Sequence, residues 1–228
     1  MYSNDVYVLV SNANIERRQL SFMNSKVHLI QLPAHSHLVS AIGAKSLKYT
    51  FYGLICAEEI KCPSRFLYLD ADVLIGQRLD KLLLGINSSC PDTYDMCTFN
   101  EPRSLKGVLG LVEEQRFHTG VIIFNKKYLR NFKCQSILVA AMVSFAREHS
   151  SGNFDQPVLS RVFYTGACSL KSLSDKLMKI PSMLNTQTRP GVFNHFTNAR
   201  TYRSLGYAYC MHLKALNVSF DENCNKFL

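Results

Sequence analysis

The 228-residue sequence contains no tryptophan, and no two of its eight cysteines (positions 56, 62, 90, 97, 134, 168, 210 and 224) stand in a CxxC pair. The lack of a CxxC pair argues against a structural zinc site and against a thioredoxin-like motif. A domain of this size does not need disulfide staples, and several of these thiols sit in apolar runs. Reduced, buried cysteines are therefore the expectation. No apolar run approaches the roughly 18 residues that would span a membrane. The start, Met1-Tyr2-Ser3-Asn4-Asp5, lacks the basic-then-apolar pattern of a signal peptide. A soluble chain with no transmembrane segment, placed in the cytoplasm, is the expectation. Asn87-Ser88-Ser89 and Asn217-Val218-Ser219 fit the glycosylation sequon, a triplet that often arises by chance. There is no internal repeat and no low-complexity linker. Nor is there a block of basic residues like a nucleic-acid arm, so no nucleic-acid partner is expected.

What is present points to a globular chain. Hydrophobic residues make up 47% and charged residues 19%, enough for a sizeable core and too apolar for wholesale disorder. The length suits one domain over residues 1–228, with the final ~30 residues as a divergent C-terminal extension. A net charge of +9 suggests an anionic partner. Nucleic acid, acidic lipid and a nucleotide diphosphate all qualify on charge alone.

Short β-rich runs at Asp5–Ser11 (DVYVLVS), Lys26–Leu32 (KVHLIQL) and Arg65–Leu69 (RFLYL) predict strands. Further strands are expected at Tyr94–Phe99, Thr119–Asn125 and Val192–Phe196. Helical spacing marks Ile15–Met23, Ser46–Ile60 (stopped by Pro63), Tyr128–Glu148 and Gln156–Tyr164. Strands alternating with helices predict an α/β fold with a mostly parallel central sheet flanked by helices.

The most informative local feature is the apolar strand that runs into Asp70-Ala71-Asp72. Carboxylates at i and i+2 share one side if the strand continues. Ligands of open α/β sheets collect at the carboxyl ends of strands. Two hard oxygen ligands suit Mn²⁺ or Mg²⁺, with positions left for water or phosphate oxygens. Two other readings stay open. One is an ordinary Asp-rich surface turn. The other is a DxD phosphatase with a nucleophilic first Asp, although in that type the DxD strand usually opens the chain.

Residues 65–75 (RFLYLDADVLI) resemble the LYLDxD segment of family 8 glycosyltransferases, the family of glycogenin-like and lipopolysaccharide galactosyltransferase enzymes. Later segments follow in that family's order. Phe117-His118-Thr119-Gly120 through Asn125 resembles FNxGVxxxN, residues 154–160 (FDQPVLS) resemble DQDxLN, and Asn194-His195-Phe196-Thr197 is similar to the start of HFxGxxKPW. Upstream, residues 52–60 (YGLICAEEI) resemble YxRLxIPELL. The resemblance covers about residues 5–200.

The resemblance implies a GT-A type nucleotide-sugar transferase fold and transfer from a UDP-sugar donor with retained anomeric configuration. It implies Asp70, Asp72 and His195 as metal ligands for Mn²⁺ or Mg²⁺. It assigns Asp155 to donor hydroxyls and Gln156 to the face of the anomeric carbon opposite the leaving group. Asn12, Ala71, His118, Thr119 and Gly120 fall at donor-binding positions. A divalent ion would neutralise the departing diphosphate. Read without the resemblance, His195 is a capping or core histidine. Asp155 then caps the helix that begins near Gln156, which Pro157 also favours.

Departures from the family pattern bear on the cations. Gly53 stands where YxRL has arginine, and the KPW segment is absent. Lys48, and Arg200 or Arg203, are the candidate substitutes, since each can meet a diphosphate. Ile15 falls where the uracil-stacking tyrosine is usual. The acceptor, a glycan, a lipid-linked saccharide or a protein, is not specified. A nucleotide-sugar-binding protein of the same fold with weakened catalysis is the alternative reading.

Overall fold

The computed structural model of the chain describes residues 6–10, 27–31, 65–70, 73–75, 79–100, 117–148, 155–179, 193–195 and 210. Strands β1 (Val6–Val10) and β2 (Val27–Gln31) pair in parallel, Val6 opposite Val27. The next strands in the chain are β3 (Phe66–Leu69) and β4 (Val73–Ile75). Helix α1 (Leu79–Ser89) leads to β5 (Met96–Asn100) and then β6 (Phe117–Phe124). A short 3-10 turn at Tyr128–Arg130 precedes helices α2 (Phe132–Glu148) and α3 (Asp155–Tyr164). Strand β7 (Leu170–Leu173), a 3-10 turn at Asp175–Leu177, and strands β8 (Met178–Lys179) and β9 (Phe193–His195) follow.

The main sheet has the order β3-β6-β5-β7, and a second sheet has the order β4-β9-β8. The expectation of a mostly parallel sheet is corrected. β6 runs antiparallel to both β3 and β5, and β4 runs antiparallel to β9. The parallel pairs are β1–β2, β5–β7 and β8–β9. The misreading has a physical cause. All eight residues of β6 are buried, because packed layers cover both faces of the sheet. Two-sided burial writes a continuous apolar run whatever the strand direction.

One face of the main sheet meets α2 and α3. Cys134, Leu138 and Met142, spaced four apart, form the inward stripe of α2. With Val158, Leu159 and Val162 of α3 they cover Met96, Ile122 and Phe124. Phe66 and Phe124 sit opposite each other in the β3–β6 ladder, and their rings stack at 4.8 Å. Helix α2 starts at Asn131, whose side-chain oxygen accepts the Cys134 N–H at 3.1 Å. Helix α3 ends at Gly166, where φ is +66°, a left-handed position that suits glycine.

The opposite face is covered by α1 through Leu82 and Ile86, and by Phe193 of β9. Cys97, Phe99, Val121 and Ile123 face this layer. Alternate strand residues thus divide between the two cores.

The expectation of reduced cysteines is also corrected. Disulfides join Cys90 to Cys97 and Cys134 to Cys168, and Cys210 is disulfide-bonded as well. The first ties the end of α1 to β5, and the second ties α2 to the segment after α3. Burial in an apolar run is as compatible with a cystine as with a thiol, so the sequence pattern did not distinguish them. The strands expected at Asp5–Ser11, Lys26–Leu32 and Arg65–Leu69 are present. The helices expected at Ile15–Met23 and Ser46–Ile60 lie outside the described residues. Among the described residues no helix is long and apolar enough to cross a membrane.

Candidate functional site

Asp70 leaves the carboxyl end of β3, and two backbone hydrogen bonds fix the place where it does so. Its N–H donates to the Gly120 carbonyl at 2.9 Å, continuing the β3–β6 ladder by one bond. Its own carbonyl accepts the Val73 N–H at 3.1 Å, across residues 70–73. The side chain is held too, with the Tyr68 hydroxyl donating to Asp70 Oδ1 at 2.5 Å. Tyr68 and Asp70 are two apart on an extended strand and so share a side. Tyr68 packs on the core beneath α2 and α3, which puts the Asp70 carboxylate on the α3 side of the sheet.

Three residues after Asp70 the chain joins the other layer. Val73 of β4 stands directly opposite His195 of β9, and Leu74 stands opposite Asn194. The residue that follows Asp72 is thereby paired, backbone to backbone, with a residue about 120 positions later. The Asp70 turn, Gly120 and His195 thus meet at one edge of the two sheets.

Gly120 lies in an irregular stretch of β6. Thr98 pairs with Ile122 and Asn100 with Phe117, so four residues of β6, 118–121, oppose one residue of β5, Phe99. A regular ladder would need one, so three are extra. Thr98 spans this bulge: its Oγ1 is 2.8 Å from the Val121 carbonyl and also contacts the His118 carbonyl. An odd number of extra residues reverses the face on which the strand continues. Phe117 accordingly joins Ile122 in the α2–α3 core although their positions differ in parity. Bulges of this kind re-aim backbone next to functional sites.

Of the residues singled out from the sequence, Asp70, His118, Thr119 and Gly120 are gathered here. His118, Thr119 and Gly120 are all buried, the imidazole of His118 completely. His195 is placed by its backbone beside the same turn. Asp155 and Gln156 open α3, which packs on β6, and Gln156 is half-buried. Asn12, Lys48, Ala71, Asp72 and Arg200 lie outside the described residues, as do the side chains of Asp155 and His195. Sequence reading missed two contributors. Tyr68 was signalled by its i, i+2 relation to Asp70. Thr98 carried no local signal, because its role depends on a register shift between distant strands.

Glycosyl transferase family 8 is the family model that matches the sequence, over residues 8–201. The chain belongs to that family. Its fold is the GT-A fold, as its structural likenesses show. The galactosyltransferase LgtC, solved with donor and acceptor sugar analogues, aligns with a TM-score of 0.64 and 16% identity over 98% of this chain and 89% of that one. An LgtC variant described as an active-site mutant, with glutamine exchanged for glutamate, aligns at 0.60 and 15% identity over 98% and 89%. Mouse xyloside xylosyltransferase 1 in its apo form aligns at 0.59 and 11% identity over 86% and 85%. No curated protein matches the chain. Within this family 8 member, the junction of β3, β4, β6 and β9 is the candidate active site.

Proposed function

We propose that this family 8 member is a Mn²⁺- or Mg²⁺-dependent, retaining glycosyltransferase that moves a sugar from a UDP-linked donor to a glycan, lipid or protein acceptor. One observation carries the reading. The β4–β9 register sets His195 opposite Val73, next in the chain to Asp72, at the turn where Asp70 is tied to Gly120. Two carboxylates and an imidazole are a donor set that suits a hard or borderline divalent cation. Asp70, Asp72 and His195 are the residues that would hold it. The cation would stabilise the charge of the departing diphosphate.

The protein's own groups supply the rest. Tyr68 orients the Asp70 carboxylate, and the bulge at His118, Thr119 and Gly120 forms the wall against which the donor sugar lies. Glycine there lets backbone approach the sugar closely. In this reading Asn12 and Ala71 would bind the nucleotide, and Lys48 and Arg200 would supply cations for the diphosphate. Asp155 accepts hydrogen bonds from donor hydroxyls. Gln156 sets its carboxamide dipole against positive charge developing at the anomeric carbon. The glutamine-to-glutamate exchange described as an active-site mutation in LgtC supports an active-site glutamine in this fold.

A second reading, a nucleotide-sugar-binding protein with weakened catalysis, is favoured by Gly53 in place of the family arginine and by the missing KPW segment. Both readings require UDP with Mn²⁺ to raise the melting temperature, because a ligand that binds only the native state stabilises it. No shift at millimolar concentrations of both refutes the two together. Turnover of a panel of UDP-sugars separates them, with Asp72→Ala as control. Equal background turnover by wild type and variant selects the binding reading.

A further inference from the structure

The candidate site accounts for only part of the chain's positive charge. At the other end of β6, beyond Phe124, the chain enters a segment dense in cations. Lys126, Lys127, Arg130 and Asn131 line an open depression of about 490 Å³ together with Asp92. Lys133 follows within the first turn of α2, and Lys126, Arg130 and Lys133 are exposed. The acids nearby are already engaged. Asp92 meets the Arg65 guanidinium at 2.7 Å. Asp95 is buried and accepts from Ser169 and Asn131, with Lys127 at 3.7 Å. Among the described residues the cations therefore dominate this surface. The amino end of the 17-residue helix α2 adds its partial positive charge.

In the same stretch of chain, between Arg130 and Lys133, Phe132 leaves 75% of its surface exposed. An aromatic ring left in water beside Arg130 and Lys133 gains nothing from the fold. A base-stacking surface for nucleic acid would need several aromatics along a basic groove. One exposed apolar side chain within a stretch of exposed cations has the composition of an interfacial anchor, in which the ring enters the headgroup layer and the cations meet anionic lipid.

We propose that the surface formed by Lys126, Arg130, Phe132 and Lys133 docks on an anionic membrane. Four residue steps along the strand take Gly120 to Phe124, about 13 Å at strand rise. The candidate site lies toward one end of β6 and the docking surface at the other. Docking therefore holds the sugar-transfer edge away from the bilayer, facing acceptors in the aqueous phase.

The test is sedimentation of the full chain with phosphatidylcholine vesicles and with phosphatidylcholine vesicles containing phosphatidylserine. Selective binding to the anionic vesicles, weakened by salt, is expected. The variant Lys126→Glu/Arg130→Glu/Lys133→Glu is expected to lose that binding, at about fivefold or more per cation removed. Phe132→Ser is expected to weaken it severalfold. Both variants keep the wild-type melting temperature and its response to UDP and Mn²⁺, which separates this surface from the transfer site. Equal binding to both vesicle types, no binding to either, or undiminished binding by the triple variant overturns the proposal. So does capture of a single-stranded oligonucleotide in place of the vesicles.

Discussion

Replacing Tyr68 with phenylalanine removes one hydroxyl and leaves the packing of the ring. The lost contact is the 2.5 Å bond to Asp70 Oδ1. Hydrogen bonds to a charged partner contribute about 1.5–3 kcal/mol. A conformationally loosened carboxylate spends less time where a cation needs it, and removing such supporting partners costs about 10–100-fold in metal affinity. The ring itself packs against the core beneath α2 and α3, opposite Ile122 in the β3–β6 ladder, and phenylalanine keeps that packing. Because Asp70 is only partly buried, water can take the place of the hydroxyl, and fold stability should change by only about 1 kcal/mol. The assay is a Mn²⁺ titration at fixed UDP, read as the concentration that half-saturates the rise in melting temperature. A tenfold or greater increase in that concentration, with the ligand-free melting temperature nearly unchanged, is the expected outcome. An affinity within twofold of wild type would show that the hydroxyl does not position Asp70 for a cation, and the reasoning about the β3 edge would fail.

Three further outcomes are expected. Thr98→Val leaves the carbonyl at Val121 without its hydroxyl partner and should weaken UDP binding several-fold, whereas Thr98→Ser should restore it; equal affinity for all three forms would remove the bulge from the binding account. Serine at Cys134 and Cys168, 34 residues apart, should cost about 4 kcal/mol, against about 2.5 kcal/mol for Cys90 and Cys97, 7 apart; urea midpoints falling equally would contradict that loop-length account. Asp95→Ala should cost about 3 kcal/mol or more in the same experiment, since Ser169 and Asn131 lose a buried acceptor, and a loss below 1 kcal/mol would show those donors finding other partners.

What could be read from the chain followed the physics of each segment. The strands at Val6–Val10, Val27–Gln31 and Phe66–Leu69 announced themselves because short β-branched and aromatic runs have few other uses. Helix α2 was legible from a long apolar period. Helix α1 was not, because Gly85, Asn87, Ser88 and Ser89 are poor helix formers in an eleven-residue element. It is held by Leu82 and Ile86 against the sheet, a contact no local window contains. Strand β7 has only two apolar residues, Leu170 and Leu173, and takes its identity from pairing with β5. At the site, Asp70 was legible because an aspartate ending an apolar strand is conspicuous. The bulge at residues 118–121 was not, since register is decided between strands rather than within one.

The pairing of β4 with β9 also sets a schedule. Val73 leaves the ribosome 122 residues ahead of His195, which at 5–20 residues per second is roughly 6–24 s. Throughout that interval β4 lacks this neighbour, and an edge so exposed invites pairing with another chain. Its brevity, three residues, limits that hazard while the chain waits. Any product of early termination or cleavage upstream of Phe193 carries the Asp70 turn without the strand that brings His195 beside it. Such fragments keep the most recognisable motif of the sequence and lack one of its three proposed cation ligands.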